Sequence, residues 1–507
     1  MSDAPHSLPA PIHQLGVLDM LAAFRSGALT PSRALTALAE RIRRLDGGAA
    51  GPADSAAAGQ GSADPINAIV EFMADDPEVR AQFRAADERY AAEDAADLPP
   101  LLGIPLLVKE QHDLAGHSAT RGSQARAGIV AEADNPIVAR LRAAGAIPFA
   151  RTANPEMSCA TFTSTRAWGV TRNPFNRDKT PGGSSGGSGA AVAAGFAPLA
   201  TASDIAGSTR IPAAFCGLPG LKTPFGRTPG AHPSNADWYR GDHILARSVA
   251  DTAYAMNTIM GLDPADHATV DPTPVLPWDR GAGESAYDDV EGLRVAVSAD
   301  LGCYDVDPSV ASGLARAAEA LARRGAQVEW IDVGLSLDEV SRASAAHYGH
   351  LIAANMERMA GGDLDALEDY SRRFIEVTRA EAQRTSLLES TVLEARVQDR
   401  LAQAMAGFDV LLTPTSAVES LPADDHQLGP LDRPGGAVEF YWQAHMTIPF
   451  NIANRCPVMA MPAGIGSEGV PVSVQVVGHP YQDASVLPVA AALESELGIP
   501  RSPVFDG

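Results

Sequence analysis

The chain has 507 residues, 45% of them hydrophobic and 20% charged, the proportions of a folded protein with a large core and not of a disordered one. Its 39 basic and 62 acidic residues leave a net charge of −23, which repels DNA or tRNA and favours neutral or cationic small molecules over anions. Only three of the basic residues are lysines, Lys109, Lys179 and Lys222.

The opening residues, MSDAPHSLPAPIHQLG, contain neither a basic stretch nor an apolar one, and no later run is long enough to span a membrane, so neither secretion nor membrane attachment is expected. Cys159, Cys216, Cys303 and Cys456 lie far apart with no C-x-x-C, the pattern of a reducing cytoplasm. Residues 17–45 predict two amphipathic helices, broken at Ser26-Gly27, with Thr30-Pro31 as N-cap and first-turn proline of the second. We read 1–46 as a helical arm packed on the core, and 47–64, built from Gly, Ala, Ser, Pro and Asp, as a mobile loop. From residue 65 apolar strands alternate with helices: IPLLVKE at 104–110, a helix at 135–147, and a strand–helix–strand unit at 293–333. Further strands follow near 408–414, 456–464 and 471–478. This alternation predicts one large α/β domain over 65–507, with a mixed central sheet covered by helices on both faces.

The most unusual segment is TPGGSSGGSGAAVAAGFAPLATASDIAGSTRIPAAFCGLPGLK, 180–222. It is not a phosphate-binding P-loop, because no lysine follows the glycines. Ser184 and Ser185 both satisfy G-x-S-x-G, but that elbow requires a preceding strand, and 173–181 is a polar, proline-containing turn. A Ser-x-x-Lys pair is absent, since Leu106, Asn176 and Pro219 stand three residues before the lysines. A flexible linker would not continue into GAAVAAGFA, whose small residues suit a helix packed closely on a sheet. Glycine at this density lets the main chain approach a reacting group and aim N–H groups at a developing negative charge.

GGSSGGSGAAVAAG, then DIAGSTRIPAAFCGLPGLK, with GIPLLVKE upstream, closely resembles the amidase signature family, serine hydrolases that use a Ser, cis-peptide Ser and Lys triad. The resemblance extends over most of the chain and implies that family's fold. It assigns Lys109 as the base, Ser184 as the cis-peptide serine and Ser208 as the nucleophile, with the main-chain N–H groups of Ile205, Ala206, Gly207 and Ser208 as the oxyanion hole. Asp204 and Arg210 flank that loop as scaffold. The family usually has a second glycine where this chain has Ala206; a positive φ there would cost about 1 kcal/mol or more.

The residue types suit amide hydrolysis. A lysine acts as a base only as a neutral amine, which requires its pKa to fall from about 10.4 towards 7. Burial behind Ile104 to Val108 would provide this at Lys109, whereas an arginine could not deprotonate. Of the three lysines, Lys109 alone is read as ending an apolar strand, with Lys179 and Lys222 in turns. No metal or organic cofactor is implied. His347 and His350 have the i, i+3 spacing of metal ligands but lack a matched third ligand, and are read as helix surface or pocket wall. His112 and His117 follow Lys109 and are read as structural. By the resemblance, Met157, Phe162 and Trp168, and Phe440, Tyr441 and Trp442, lie in segments bordering the acyl pocket; most of these side chains are read as ordinary core, and if several face the pocket an apolar or aromatic acyl group is favoured. The expected function is cleavage of a small-molecule carboxamide by a protein that is monomeric or homodimeric. The alternative is a glutaminase-type subunit of a tRNA-dependent amidotransferase, whose activity would depend on partners.

Overall fold

Apolar, β-branched runs with no charge until their ends form strands that can be buried on both faces, and they build the centre of this molecule. The computed structural model describes residues 8–47, 65–94, 96–277 and 287–506, so most of the loop expected at 47–64 lies outside the described residues. In chain order the strands are β1 (Ile69–Phe72), β2 (Pro105–Lys109), β3 (Ile147–Thr152), β4 (Ser164–Thr165), β5 (Gly169–Val170), β6 (Leu199–Asp204) and β7 (Gly220–Lys222). They continue with β8 (Gly241–Leu245), β9 (Arg294–Val297), β10 (Gln327–Trp330), β11 (Val410–Pro414), β12 (Val458–Ile465) and β13 (Pro471–Gly478).

The central layer is mixed, as expected, but it is built in two parts. Five strands run in the order β1-β3-β2-β6-β8, parallel through β3-β2-β6 and antiparallel at both edges. Six more run β10-β9-β11-β13-β12-β7, parallel through β10-β9-β11 and antiparallel beyond. The two parts abut at β7 and β8, where the Thr223 N–H donates to His243 Nε2 at 3.2 Å. Strands β4 and β5 form a separate small ribbon.

Two helices at Val17–Arg25 and Pro31–Leu45 pack Met20, Leu21, Leu38 and Ile42 into the same core as Leu106, Leu107 and Val108 of β2. Thr30 caps the second by accepting the Arg33 N–H at 3.3 Å. The buried Arg41 donates from Nε to Ala194 O at 2.8 Å, fastening this arm beneath the Gly/Ser segment. That segment forms a short helix, Gly186–Ala193, in which every residue is buried. Its lack of side-chain bulk allows the close approach: a Cβ on Gly187 would stand 2.5 Å from the main chain of Ala153.

A buried ion pair links the two parts of the sheet. Asp204 ends β6, and Arg210 Nε and Nη2 donate to its two carboxylate oxygens at 2.9 and 3.1 Å. The same guanidinium donates to Gln475 Oε1 on β13 at 2.9 Å and to Asn451 Oδ1 at 2.8 Å. Burial alone would raise the Asp204 pKa, but the Arg210 charge and hydrogen bonds hold it well below the usual carboxylate range. Asp204→Asn leaves Arg210 buried and uncompensated. It is expected to cost about 3–5 kcal/mol, read as a lower midpoint in denaturant unfolding.

A second charged cluster fixes Asp237–Tyr239 against two helices, Leu337–Tyr348 and Leu387–Ala404. His347, read from its spacing as surface or pocket wall, is buried: Nε2 lies 2.8 Å from Asp237 Oδ1, Nδ1 lies 3.7 Å from Glu394 Oε1, and the ring stacks on Tyr239 at 3.7 Å. Burial by itself would lower its pKa, but Asp237 and Glu394 together raise it to about 9. The raised pKa means that folding favours the imidazolium. Its contribution is full below the ordinary value of 6.5 and is lost as pH rises through about 9. Stability is expected to fall by about 3 kcal/mol between these limits, and His347→Gln to remove that slope, as measured by denaturant titrations across the range.

Candidate active site

Strand β2 delivers Lys109 into the interior, where the residue has no solvent exposure. Its main-chain N–H donates to Thr201 Oγ1 at 2.8 Å, fixing the end of the strand against β6. The amine stands 2.8 Å from Ser184 Oγ, 3.0 Å from Ser185 Oγ and 3.0 Å from Ser203 Oγ, and no carboxylate among the described residues touches it. Burial, and then the neighbouring Arg240 charge, lower its pKa well below the ordinary lysine value. The N-terminus of helix Gly186–Ala193 lies beside it, through Ser185, and a positive dipole end also disfavours an ammonium.

The hydrogens around this amine can be counted. The Ser203 hydroxyl donates to Gln111 Oε1 at 3.0 Å, so it accepts from Lys109. The Ser185 hydroxyl accepts the Ser203 N–H at 3.2 Å and donates towards Ser203 O at 3.5 Å, so it too accepts from Lys109. Two N–H bonds of Nζ are thereby used, and the remaining direction faces Ser184.

The Gly183–Ser184 peptide is cis. A Cβ on Gly183 would stand 2.4 Å from Phe162 O, so only glycine fits before this serine. Ser208 faces the same cavity as Ser184, and its carbonyl accepts the Ser185 N–H at 3.3 Å. Between β6 and Ser208 the chain turns through Ile205, Ala206 and Gly207. Only Gly207 has a left-handed conformation, φ 111°, so Ala206 carries no such strain. The Gly207 N–H is taken by Asp204 Oδ1 at 2.8 Å. Of the four N–H groups expected to form the oxyanion hole, that of Gly207 is thus already engaged, whereas those of Ile205, Ala206 and Ser208 have no acceptor among the described residues. Thr447 holds the loop from outside by donating to Ala206 O at 2.6 Å.

Lys222, expected in a turn, instead ends strand β7. Lys222 is as deeply buried as Lys109, and burial lowers it to about 7. It donates to Asn454 Oδ1 at 2.5 Å and to Cys456 O at 2.9 Å, both pure acceptors, and takes no part in lining the cavity. Burial alone therefore does not distinguish Lys109; its serine neighbours do. Lys179 pairs with Glu468 at 2.9 Å.

Neither His112 nor His117 lines the cavity: His112 Nδ1 meets Thr201 Oγ1 at 2.9 Å, and His117 Nδ1 meets Glu71 Oε1 at 2.7 Å. His350 does reach the cavity and donates from Nε2 to Thr385 O at 3.0 Å. Sequence patterns assign no role around the amine to Ser185, Ser203 or Gln111. The signal for the last two is positional, since Ser203 precedes Asp204 on β6 and Gln111 follows Lys109 by two residues.

The cavity has a volume of about 690 Å³. Met157, Tyr441 and Trp442 line it, as do Tyr348, Met356 and Phe374 from the helical segment between β10 and β11. The other three aromatic residues of those segments lie elsewhere. Phe162 packs behind Tyr441 with ring centroids 5.7 Å apart, Phe440 stacks on Trp442 at 4.5 Å, and Trp168 is not part of the wall. No helix among the described residues is long and apolar enough to cross a membrane.

The chain is similar to several known proteins. A glutamyl-tRNA(Gln) amidotransferase subunit from Synechococcus sp. (strain CC9311) is 33% identical over 469 residues, covering 86% of this chain and 91% of that one. The 6-aminohexanoate-cyclic-dimer hydrolase of Paenarthrobacter ureafaciens is 32% identical over 456 residues, covering 85% and 90%. Among solved structures, a bacterial aryl acylamidase of the amidase signature family superposes with a TM-score of 0.84 at 24% identity, covering 98% of this chain and 99% of that one. A 6-aminohexanoate cyclic dimer hydrolase complexed with substrate gives 0.79 at 26% identity, covering 98% and 100%. The amidase family model matches residues 57–487. The chain belongs to the amidase family, and with it to the hydrolases that act on carbon–nitrogen bonds.

Proposed function

We propose that this protein is a stand-alone amidase that hydrolyses a small or medium carboxamide through an acyl-enzyme on Ser208. The observation that carries the reading is the Lys109 amine, buried among serine hydroxyls with two of its N–H bonds already accepted. In its neutral form the lone pair then faces Ser184, 2.8 Å away.

In this mechanism Ser208 Oγ attacks the amide carbon while its proton passes to Ser184, whose own proton passes to Lys109. The negative charge that develops on the carbonyl oxygen is met by the N–H groups of Ile205, Ala206 and Ser208. The proton returns through Ser184 to the leaving nitrogen, and a water activated by the same pair hydrolyses the ester. No metal or organic cofactor is needed for any step. A cavity of about 690 Å³ with an aromatic wall supports a substrate larger than a free amino-acid amide. Four unpaired cysteines support a reducing, cytoplasmic location.

The second reading, a component of an amidotransferase, is favoured by the 33% identity to the Synechococcus protein. Gel filtration of the protein expressed alone, with glutaminase and simple-amide assays on the fractions, separates the two. A stand-alone amidase is expected to elute as an active monomer or homodimer with little glutaminase activity.

Two outcomes test the chemistry. A fluorophosphonate is expected to label Ser208, located by peptide mass spectrometry; an adduct on Ser184 or Ser185 would overturn the assignment. Lys109→Arg is expected to lower kcat/KM by about 10²–10⁴-fold, because a guanidinium does not accept a proton. In the native enzyme kcat/KM should rise with pH as Lys109 deprotonates, with a midpoint below the ordinary lysine range.

A further inference from the structure

Part of the cavity wall is cationic. Arg121, Arg126 and Arg358 all line it. Arg121 is spoken for: it pairs with Asp113 at 2.9 Å and donates to Gln111 O at 2.5 Å. Among the described residues the Arg126 side chain makes one hydrogen bond, from Nη2 to Ala119 O at 3.3 Å, and its Nε–H meets no acceptor. Arg358 donates from Nε and Nη2 to a single neutral acceptor, Asn355 Oδ1, at 3.2 and 2.8 Å. Among the described residues no carboxylate lies within ion-pair distance of Arg126 or Arg358; Asp113 pairs with Arg121, and Glu357, adjacent to Arg358, with Arg379 at 3.3 Å.

This is an unusual place to leave guanidinium groups without an acid, since acidic residues outnumber basic ones 62 to 39. Burial disfavours the charged form of Arg126 and the neighbouring Arg121 and Arg358 add like-charge repulsion, which the carboxylates of Glu110 and Asp113, beyond ion-pair distance, offset only in part. An anion between Arg126 and Arg358 would relieve both effects. Within a cleft the local charge outweighs the field of the distant surface, so the net charge of −23 does not decide what enters. The flat, forked guanidinium matches a carboxylate, and two of them on separate segments, the loop after β2 and the helix Ala354–Met359, would hold it from two sides.

We propose that the substrate is an amide bearing a carboxylate at the end away from the scissile bond, and that Arg126 and Arg358 recognise that carboxylate. The apolar wall of Met157, Phe374 and Trp442 then covers the part of the molecule between the two ends. The proposal rests on the amidase reading, and its test separates the two.

Binding is measured by titration calorimetry on the full-length Ser208→Ala protein, which needs no turnover. The probes are glutaryl-4-nitroanilide and its methyl ester, with the anion on the acyl side, and 4-butyramidobenzoate and its methyl ester, with the anion on the amine side. At least one acid is expected to bind about ten-fold more tightly than its own ester. Introducing Arg126→Gln or Arg358→Gln is expected to bring that ratio close to one. Circular dichroism verifies the fold, and the exposed Arg358 provides the variant less coupled to packing. The proposal is overturned if neither acid outbinds its ester, if none of the four probes binds, or if the preference survives undiminished in both variants. If the wild-type enzyme is not labelled at Ser208 while the acid preference is present, the acyl-enzyme reading fails and the anion site stands.

Discussion

The buried pair of Asp204 and Arg210 is the constraint on which the rest of this structure depends. Asp204 belongs to one part of the sheet, and Arg210 reaches Gln475 in the other, so a single guanidinium joins the two. The stretch between them contains the turn that presents Ser208. Two charges in a dry interior carry a large desolvation cost, and only a full set of partners offsets it. Here the carboxylate accepts from the guanidinium, from Asn451 and from the Gly207 N–H, while Arg210 also donates to Asn451, Gln475 and Thr447. The loop is held in shape because its conformation satisfies all of these groups at once.

The three lysines show how burial and chemistry separate. Lys109 and Lys222 are both sealed from water, and both are pushed towards the neutral amine. Lys222 meets a side-chain amide oxygen and a main-chain carbonyl, which can only accept hydrogens, so its environment makes it a tether between strands. Lys109 meets hydroxyls, which can also donate, so its environment allows a proton to move. A depressed pKa therefore makes a lysine available as a base, and the neighbours decide whether anything uses it.

Much of the fold was legible because strands buried on both faces must be written as uninterrupted apolar runs, as 105–108 and 410–412 are. The helical arm was legible from Thr30-Pro31, whose capping role is local. The division of the sheet into two parts was not, because it depends on which strand edges meet. The contents of the cavity were only partly legible: Met157, Tyr441 and Trp442 reach its wall, but Phe162, Phe440 and Trp168, which look the same in sequence, do not. An aromatic residue is equally at home in core or pocket, and only its neighbours in space distinguish the two. The presence of Arg126 and Arg358 at the cavity was hidden for the same reason, and the net charge pointed the other way.

By itself the sequence determined the alternation of apolar strands with helices, the Gly/Ser segment that lets main chains come close, and the candidate trio of Lys109, Ser184 and Ser208. These follow from local patterns, from residue chemistry and from a family resemblance carried by contiguous motifs. The tertiary structure decided which of two buried lysines has hydroxyl partners, which loop N–H groups remain open once Asp204 has taken that of Gly207, and which charges face the cavity. Each of those depends on which side chains and strands meet in space, and hydrogen bonds and ion pairs act over a few ångströms whatever the separation along the chain.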